Sequence, residues 1–215
     1  MKNLIYLFIF IPTFLFSQDL ELGLASRNLW RGLNQGESPS IQADLCFNKS
    51  FFTLGTYTTQ TTNGFNRGYG NTREVYFSVE PCKYFEITFD DYFFYEGQDY
   101  FNYKNHYPEL RTTFKYQGFE FLSAFDLKYS SFYLELSKEI CNFVASVGYV
   151  TGESGVNFYN SRGFCLVGLK YSKKINNHFT IEALIQANPN AKNISTVPGL
   201  PRRDLNEAII LKYSL

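Results

Sequence analysis

Histidine is the side chain that most often acts as a general base near neutral pH, and this chain of 215 residues contains two. A serine hydrolase needs a serine within hydrogen-bond reach of such a histidine, and a third group that orients the ring. His106 falls in a predicted loop, where Ser154 or Ser161 from another loop could approach it. His178 falls beside a predicted short turn at the opposite end of the molecule. We therefore expect His106 to be a solvated loop histidine and the protein not to be an enzyme.

Paired acids and cysteines are the other groups that could carry chemistry. Asp90 and Asp91 are adjacent in a predicted strand, and neighbouring strand residues point to opposite faces. Their carboxyl groups therefore cannot form a glycosidase pair. The spacing of the four cysteines matches no zinc site and leaves both disulfides and free thiols open: Cys46, Cys82, Cys141 and Cys165. No metal and no cofactor are expected.

A third cluster lies in the stretch ASRNLWRGLNQGESPSIQADL, residues 25–45. The chain's only tryptophan, Trp30, stands there between Arg27 and Arg31. The arginines could pair with acidic side chains, and an indole ring suits a membrane–water interface. Which residues contact this cluster depends on the secondary-structure element in which the cluster lies.

The bulk composition excludes one class of function and favours strands. With 20 basic and 20 acidic side chains, the neutral chain lacks the basic excess of a nucleic-acid-binding protein. Aromatic residues make up 19% of the chain, which favours strands over helices. The mean hydropathy of -0.22 is typical of a soluble protein, and equally of a membrane barrel whose apolar and polar residues alternate.

The first 17 residues have the pattern of a secretory signal peptide. Lys2 provides the positive start, residues 4–16 form an apolar core, and Ser17 is a small residue at a plausible cleavage site. The apolar core is shorter than the roughly 20 residues that a membrane-spanning helix needs. We therefore expect residues 1–17 to be removed on export and residues 18–215 to form one domain.

The rest of the sequence divides into twelve short runs in which apolar and polar residues alternate. Most runs have roughly the 9–11 residues that a tilted transmembrane strand needs. The runs cover about 19–30, 39–48, 50–59, 72–81, 84–95, 108–117, 118–128, 131–138, 142–151, 163–174, 178–187 and 205–215. The connections alternate between long and short, with the short one near residue 130 as the exception. A soluble β-sandwich would also show short alternating runs, but it does not explain this alternation of connections. The sequence therefore predicts an all-β fold, an antiparallel transmembrane β-barrel of about 12 strands, with long outer loops and short periplasmic turns.

The charged side chains show which face of each run should point into the barrel. A charge that faces the centre of a bilayer costs several kcal/mol, so the charged faces should point inward. The predicted lumen-facing charged residues are Glu21, Arg27, Arg31, Asp44, Glu74, Glu80, Glu86, Asp90, Glu109, Arg111, Lys115, Glu120, Asp126, Lys128, Glu135, Lys170, Glu182, Glu207 and Lys212.

The charged interior predicts a porin or small-solute channel, which would favour small polar or cationic solutes. The alternative is a non-conducting structural or binding barrel, in which paired charges and water plug a narrow lumen. Twelve strands lie between the filled eight-stranded barrels and the open 16-stranded porins. We expect outer-membrane lipids as partners and no nucleic acid, and the sequence does not determine the oligomeric state.

The first predicted strand ends near Trp30. Residues four apart in a strand share a face, so Arg27 and Arg31 should face the lumen, with Arg31 at its mouth. Trp30 should face the outer membrane interface. The same alternation aims Ser26 and Asn28 at lipid, and a β-bulge near these residues could relieve that difficulty while reversing Arg27.

The same stretch resembles the opening motif of the Gcw_chp (TorF-like) porin family of exported bacterial proteins. The motif positions are Ser26, Arg31, Gly32, Pro39 and Gln42, and Asn28 stands where the family pattern has an aromatic residue. The resemblance is clearest over about residues 20–60. It implies an outer-membrane barrel of porin type with no assigned substrate.

Overall fold

The computed structural model describes residues 17–36, 38–62, 71–94, 100–154, 159–194 and 204–215. Of the predicted signal peptide, residues 1–16 lie outside this part of the chain, and Ser17 begins the first strand. Two short 3-10 helices lie at Tyr103–Asn105 and Ala191–Asn193. The strands are β1 (Ser17–Ala25), β2 (Asn28–Trp30), β3 (Leu33–Gly36), β4 (Ser40–Lys49), β5 (Phe52–Thr61), β6 (Thr72–Cys82), β7 (Phe85–Phe94), β8 (His106–Tyr116), β9 (Phe119–Asp126), β10 (Ser131–Ile140), β11 (Phe143–Val150), β12 (Gly163–Lys174), β13 (Phe179–Ala187) and β14 (Leu205–Ser214).

Twelve of these strands form one closed barrel, and β2 and β3 form a separate two-stranded sheet. The barrel closes because β1 pairs antiparallel with β4 on one side and with β14 on the other, so that Leu22 lies opposite both Ala43 and Tyr213. Each of the twelve predicted runs overlaps one barrel strand, which confirms the predicted fold. The first predicted run extends too far, because the chain leaves the barrel wall after Ala25.

The two ends of the barrel differ in their connections. At the short-turn end, tight turns join β4 to β5, β6 to β7, β8 to β9, β10 to β11 and β12 to β13. In one of them Gln117 and Gly118 have φ angles of 48° and 76°, the pair of positive values that a type I′ hairpin turn requires. The other end, the long-loop end, carries the longer connections, with the short turn 127–130 as the predicted exception.

The outward face of the wall is apolar. Leu24 and Ile209 on neighbouring strands are each 59% exposed, and Phe77 and Phe89 lie side by side on β6 and β7. Side chains alternate across each strand, so the polar residues between these positions point inward. The buried hydrophobic cluster lies within the barrel towards the long-loop end and includes Leu33, Tyr133, Tyr159, Cys165 and Ile194.

Candidate functional site

Residues 28–36, which we call the lumen hairpin, consist of β2, β3 and the turn between them. Trp30 pairs with Leu33, so Arg31 and Gly32 alone form the turn. Their φ angles are 48° and 81°, again the type I′ combination, with Gly at its preferred second position. At the open end of the hairpin, Asn28 Nδ2 donates to Gln35 Oε1 at 2.8 Å.

The tip of the lumen hairpin is joined to a distant strand by a buried ion pair. Arg31 Nη1 and Nη2 donate to Glu109 Oε2 and Oε1, each at 2.7 Å. The side chains of Arg31 and Glu109 are 6% and 0% exposed. Glu109 lies on β8, the fourth strand around the barrel from β4. The hairpin therefore reaches across the lumen, and a two-bond arginine–carboxylate contact fixes its orientation there.

Aromatic rings surround the same guanidinium group. The Arg31 Cζ atom lies 4.6 Å from the centre of the Trp30 ring and 4.5 Å from that of Tyr133. Trp30 also packs against Tyr92 and Phe94 of β7, with ring centres 5.5 and 6.5 Å apart. The positive charge thus contacts the Glu109 carboxylate and the faces of two rings, contacts that stabilise an arginine away from water.

The backbone of the turn packs directly against β12. A Cβ atom at Gly32 would lie 2.0 Å from the carbonyl oxygen of Cys165, so only glycine fits. The carbonyl oxygen of Gly32 accepts hydrogen bonds from Asn188 Nδ2 at 3.1 Å and Asn206 Nδ2 at 3.4 Å. Asn188 also donates to the Tyr159 hydroxyl at 2.8 Å. These side chains hold the turn from the side opposite β8.

Two cavities flank the lumen hairpin. The larger, about 930 Å³, lies at the short-turn end, and we call it the vestibule. Its lining includes Lys115, Glu120, Glu135 and Lys170 from the wall, and Arg31 from the hairpin tip. The smaller, about 210 Å³, lies between the hairpin and the strands around β5, and we call it the side pocket. Its lining includes Trp30, Tyr92 and Glu74.

Strand register places most of the predicted charged residues on the inward face. Glu21 lies opposite Asp44, Asp90 opposite Glu109, and Lys115 opposite Glu120. The predicted residues on this face are Glu21, Asp44, Glu74, Glu86, Asp90, Glu109, Arg111, Lys115, Glu120, Asp126, Glu135, Lys170, Glu182 and Lys212. Some form ion pairs within the lumen, as Arg111 does with Asp90 at 3.2 Å.

The prediction for the first strand end was wrong in two respects. Trp30 packs inside the barrel against Tyr92 and not at a lipid interface. Arg31 is buried in the lumen and not at its mouth. The cause is common to both: the chain turns inward after Ala25, and this also removes the predicted exposure of Asn28 to lipid, since Asn28 is 3% exposed. Arg27 lies in a half-buried bend between β1 and β2, and its lumen-facing orientation stays a prediction.

Two further charged residues do not lie on the inward face of a strand, and Glu80 lies where the register of β6 is irregular, between Val79 and Cys82. Glu207 shares the outward face with Leu205, Ile209 and Leu211, because it is two residues from Ile209. It lies near the start of β14, at the long-loop end of the barrel. Lys128 lies in the exposed turn 127–130, where its Nζ donates to the Lys104 carbonyl oxygen at 2.7 Å.

The five motif positions all contact or flank the lumen hairpin. The Ser26 amide donates to the Ile209 carbonyl oxygen at 2.8 Å, and the Ser26 hydroxyl accepts from the Ile209 amide at 2.9 Å. On the far side of the hairpin, the Pro39 carbonyl oxygen accepts from the Thr62 amide at 2.8 Å. Arg31 and Gly32 form the tip, and Gln42 lines the side pocket. The motif is therefore the segment that forms and fastens the hairpin.

His106 has specific partners, in contrast to the solvated side chain expected. Its Nδ1 lies 2.7 Å from Asp91 Oδ2, and its Nε2 lies 2.6 Å from the Tyr100 carbonyl oxygen. Ser154 instead donates to Asp126 Oδ2 at 2.9 Å. His178, at the short-turn end, contacts the Ser214 carbonyl oxygen. The structure thus brings neither histidine to Ser154, and the absence of enzymatic activity stays a prediction.

The sequence contained an unused signal for the lumen hairpin. Trp-Arg-Gly-Leu places an X-Gly pair between two apolar residues, which is a hairpin signal. The stretch ANPNAKN, residues 187–193, supplies Asn188 and the turn that supports it, and clustered asparagines are typical of such turns. Neither signal indicates that the two segments meet inside the barrel.

Comparisons with known proteins do not assign this chain to a family. In the described ranges, no helix has the length and apolar composition that a membrane-spanning helix requires. Neither the protein-family models nor the curated protein sequences give a match to this chain. The resemblance to the Gcw_chp family therefore stays a prediction, and the geometry of the lumen carries the functional inference.

Proposed function

We propose that this protein is a bacterial outer-membrane β-barrel whose lumen is closed at rest by its own hairpin. The apolar outward face supports the membrane location. Large side chains such as Leu54, Phe77 and Ile185 are exposed around a closed barrel, and exposed apolar area on this scale marks a surface that another apolar phase covers. A closed barrel satisfies the backbone hydrogen bonds of every strand, as lipid requires.

The ion pair between Arg31 and Glu109 is the main observation that supports a closed lumen. It joins the hairpin tip to the far wall through two hydrogen bonds of 2.7 Å. This contact fixes the hairpin in its closed position, and from it we infer that the closed arrangement is the ground state. In this candidate the barrel acts as a binding or structural protein with a plugged lumen.

A small-solute channel is the second candidate, and the vestibule favours it. About 930 Å³ of space, lined by charged and apolar side chains, leads from the short-turn end to Arg31 at the hairpin tip. In this candidate, displacement of the hairpin opens a path towards the long-loop end. This candidate places the hairpin in the role of a gate for small polar solutes.

Conductance of the refolded protein in planar bilayers tests both candidates. We expect little current from the wild type, and sustained current when residues 28–36 are replaced by a Gly/Ser segment of equal length. Glu109→Gln should give brief openings, because it removes the carboxylate from the hairpin's far contact. The matched control is Glu86→Gln, whose partner Lys115 lies in the vestibule half. Sustained wild-type current would contradict the closed ground state, and no current from the hairpin replacement would exclude the gate.

A further inference from the structure

Aromatic rings form one wall of the side pocket, and acidic side chains predominate among its charged lining residues. Trp30, Tyr92 and Phe94 supply the rings, with the Tyr92 and Phe94 centres 6.3 Å apart and nearly parallel at 8°. The rings converge from two sources, because Trp30 belongs to the hairpin and the other two to β7. A cavity walled by aromatic rings is a common environment for an organic cation.

The acidic side chains that line the side pocket outnumber its basic side chains. Four carboxyl groups line it, and Lys212 is the one basic side chain among its described lining residues. Lys212 already interacts with two of these carboxyl groups, since its Nζ lies 3.0 Å from Glu21 and 3.6 Å from Glu182. Glu74 is hydrogen-bonded to the Asp90 carboxyl group, and two carboxyl groups in contact cannot both carry a full charge. Asp44 has no ion pair with a described basic side chain, and it accepts a hydrogen bond from Tyr76 at 3.0 Å. The unmatched negative charge of the pocket therefore lies at Asp44 on β4.

The nearby arginines are bound to other carboxyl groups. Arg31 is bound to Glu109, and Arg111 is bound to Asp90 at 3.2 Å. The carboxyl group of Asp44 is left to face a cation that enters the pocket.

A buried hydroxyl group without a hydrogen-bond partner is separate evidence for a ligand in the side pocket. Thr72 lines the side pocket and is 5% exposed, and its Oγ1 atom has no hydrogen-bond partner among the described residues. A buried hydroxyl without a partner costs about 1–3 kcal/mol, so such groups are normally satisfied. A polar group of a ligand in the pocket would satisfy Thr72 from the open side.

We propose that the side pocket binds a small organic ammonium ion, with its charge facing Asp44 and its alkyl surface against Trp30 and Tyr92. The volume of about 210 Å³ lies below the roughly 300–1,000 Å³ of pockets for drug-sized ligands, so the occupant is small. No group of three or more described His, Cys, Asp or Glu side chains is arranged to hold a metal ion, which favours an organic cation. Binding does not depend on whether the lumen conducts, so its failure and that of the proposed function are distinguishable.

Trp30 provides a direct readout because it is the only tryptophan in the chain. Choline is titrated into the refolded full-length protein while the emission of Trp30 is recorded, and calorimetry measures the same binding. The matched probe is the neutral alcohol in which carbon replaces the choline nitrogen. We expect saturable binding of choline in the millimolar range or tighter. The neutral alcohol should bind about tenfold more weakly or worse, a difference of about 1.4 kcal/mol.

Variants assign the binding to the side pocket. Asp44→Asn should weaken choline binding about tenfold. Glu120→Gln is the control, because it removes the same charge from the vestibule. The proposal is overturned if choline and the neutral alcohol bind equally, or if Glu120→Gln loses as much affinity as Asp44→Asn. It is also overturned if neither method shows saturable choline binding to the wild type. The comparison of the two probes needs no variant, so a folding defect in one does not remove the test.

Discussion

The two halves of the lumen are built from the same strands but differ in packing. In the long-loop half, Glu109 of β8 is fully buried and bound to Arg31 at 2.7 Å. In the short-turn half, Lys115 of the same strand lies 3.5 Å from Glu86, with side-chain exposures of 48% and 26%, beside about 930 Å³ of open space. The same strands form the wall of both halves. The lumen hairpin, together with Tyr159 and Ile194 from the long connections, packs within the long-loop half. This second layer of chain distinguishes the packing of the two halves.

The substitution with the largest expected effect on stability removes the ion pair between Arg31 and Glu109. Glu109→Gln leaves the Arg31 guanidinium buried without its carboxylate, so the free energy of unfolding should fall by about 3–5 kcal/mol. Glu86→Gln breaks a partly exposed pair and should cost about 1 kcal/mol or less. Denaturant unfolding in detergent, followed by Trp30 emission, measures both. Equal losses would show that the hairpin does not create the difference.

Leu33 tests the packing of the long-loop half. It is fully buried against a cluster that includes Tyr159 and Cys165, so Leu33→Ala should cost about 3 kcal/mol through a cavity. Leu184 lines the vestibule and is only half-buried, and Leu184→Ala should cost about 1 kcal/mol. The same unfolding measurement compares them. A larger loss at Leu184 would place the tighter packing in the wrong half.

Gly32 tests the contact between the hairpin turn and β12. Gly32→Ala adds a Cβ at a φ of 81° and against the Cys165 carbonyl oxygen, so we expect a loss of about 2 kcal/mol. Gly152→Ala is the control, because a Cβ there would meet its nearest neighbour at an ordinary 3.9 Å, and its effect should lie within about 0.5 kcal/mol. If the two variants are equally stable, the turn does not pack against β12.

The smallest expected effect is on the fluorescence of Trp30 in lipid. Brominated acyl chains quench a tryptophan that they contact, and Trp30 lies within the lumen, so its emission should be almost unchanged. A tryptophan placed at the outward position by Leu24→Trp, in a Trp30→Phe background, should be strongly quenched. Strong quenching of Trp30 itself would restore the interface location that the sequence suggested.

The fold followed from the sequence because strand alternation is local. Each predicted run could be assigned without knowledge of its partners, and the inward position of Glu109 was predicted in this way. Its ion pair could not be, because Arg31 lies 78 residues away and approaches across the lumen and not along a strand. Trp30 was misplaced for a related reason, since alternation does not reveal that the chain has left the wall. Glu207 was misplaced although its spacing from Ile209 already indicated the outward face.

The attachment of the lumen hairpin at both ends has a kinetic consequence. Ser26 is bonded to β14 and Pro39 to Thr62, so a displaced hairpin stays covalently joined within a few residues of its closed position. Its return is then intramolecular, with an effective concentration of roughly millimolar or more, as for any short tether. A free peptide of the same sequence would have to compete with that local concentration, and any opening of the lumen should be brief unless something holds the hairpin away.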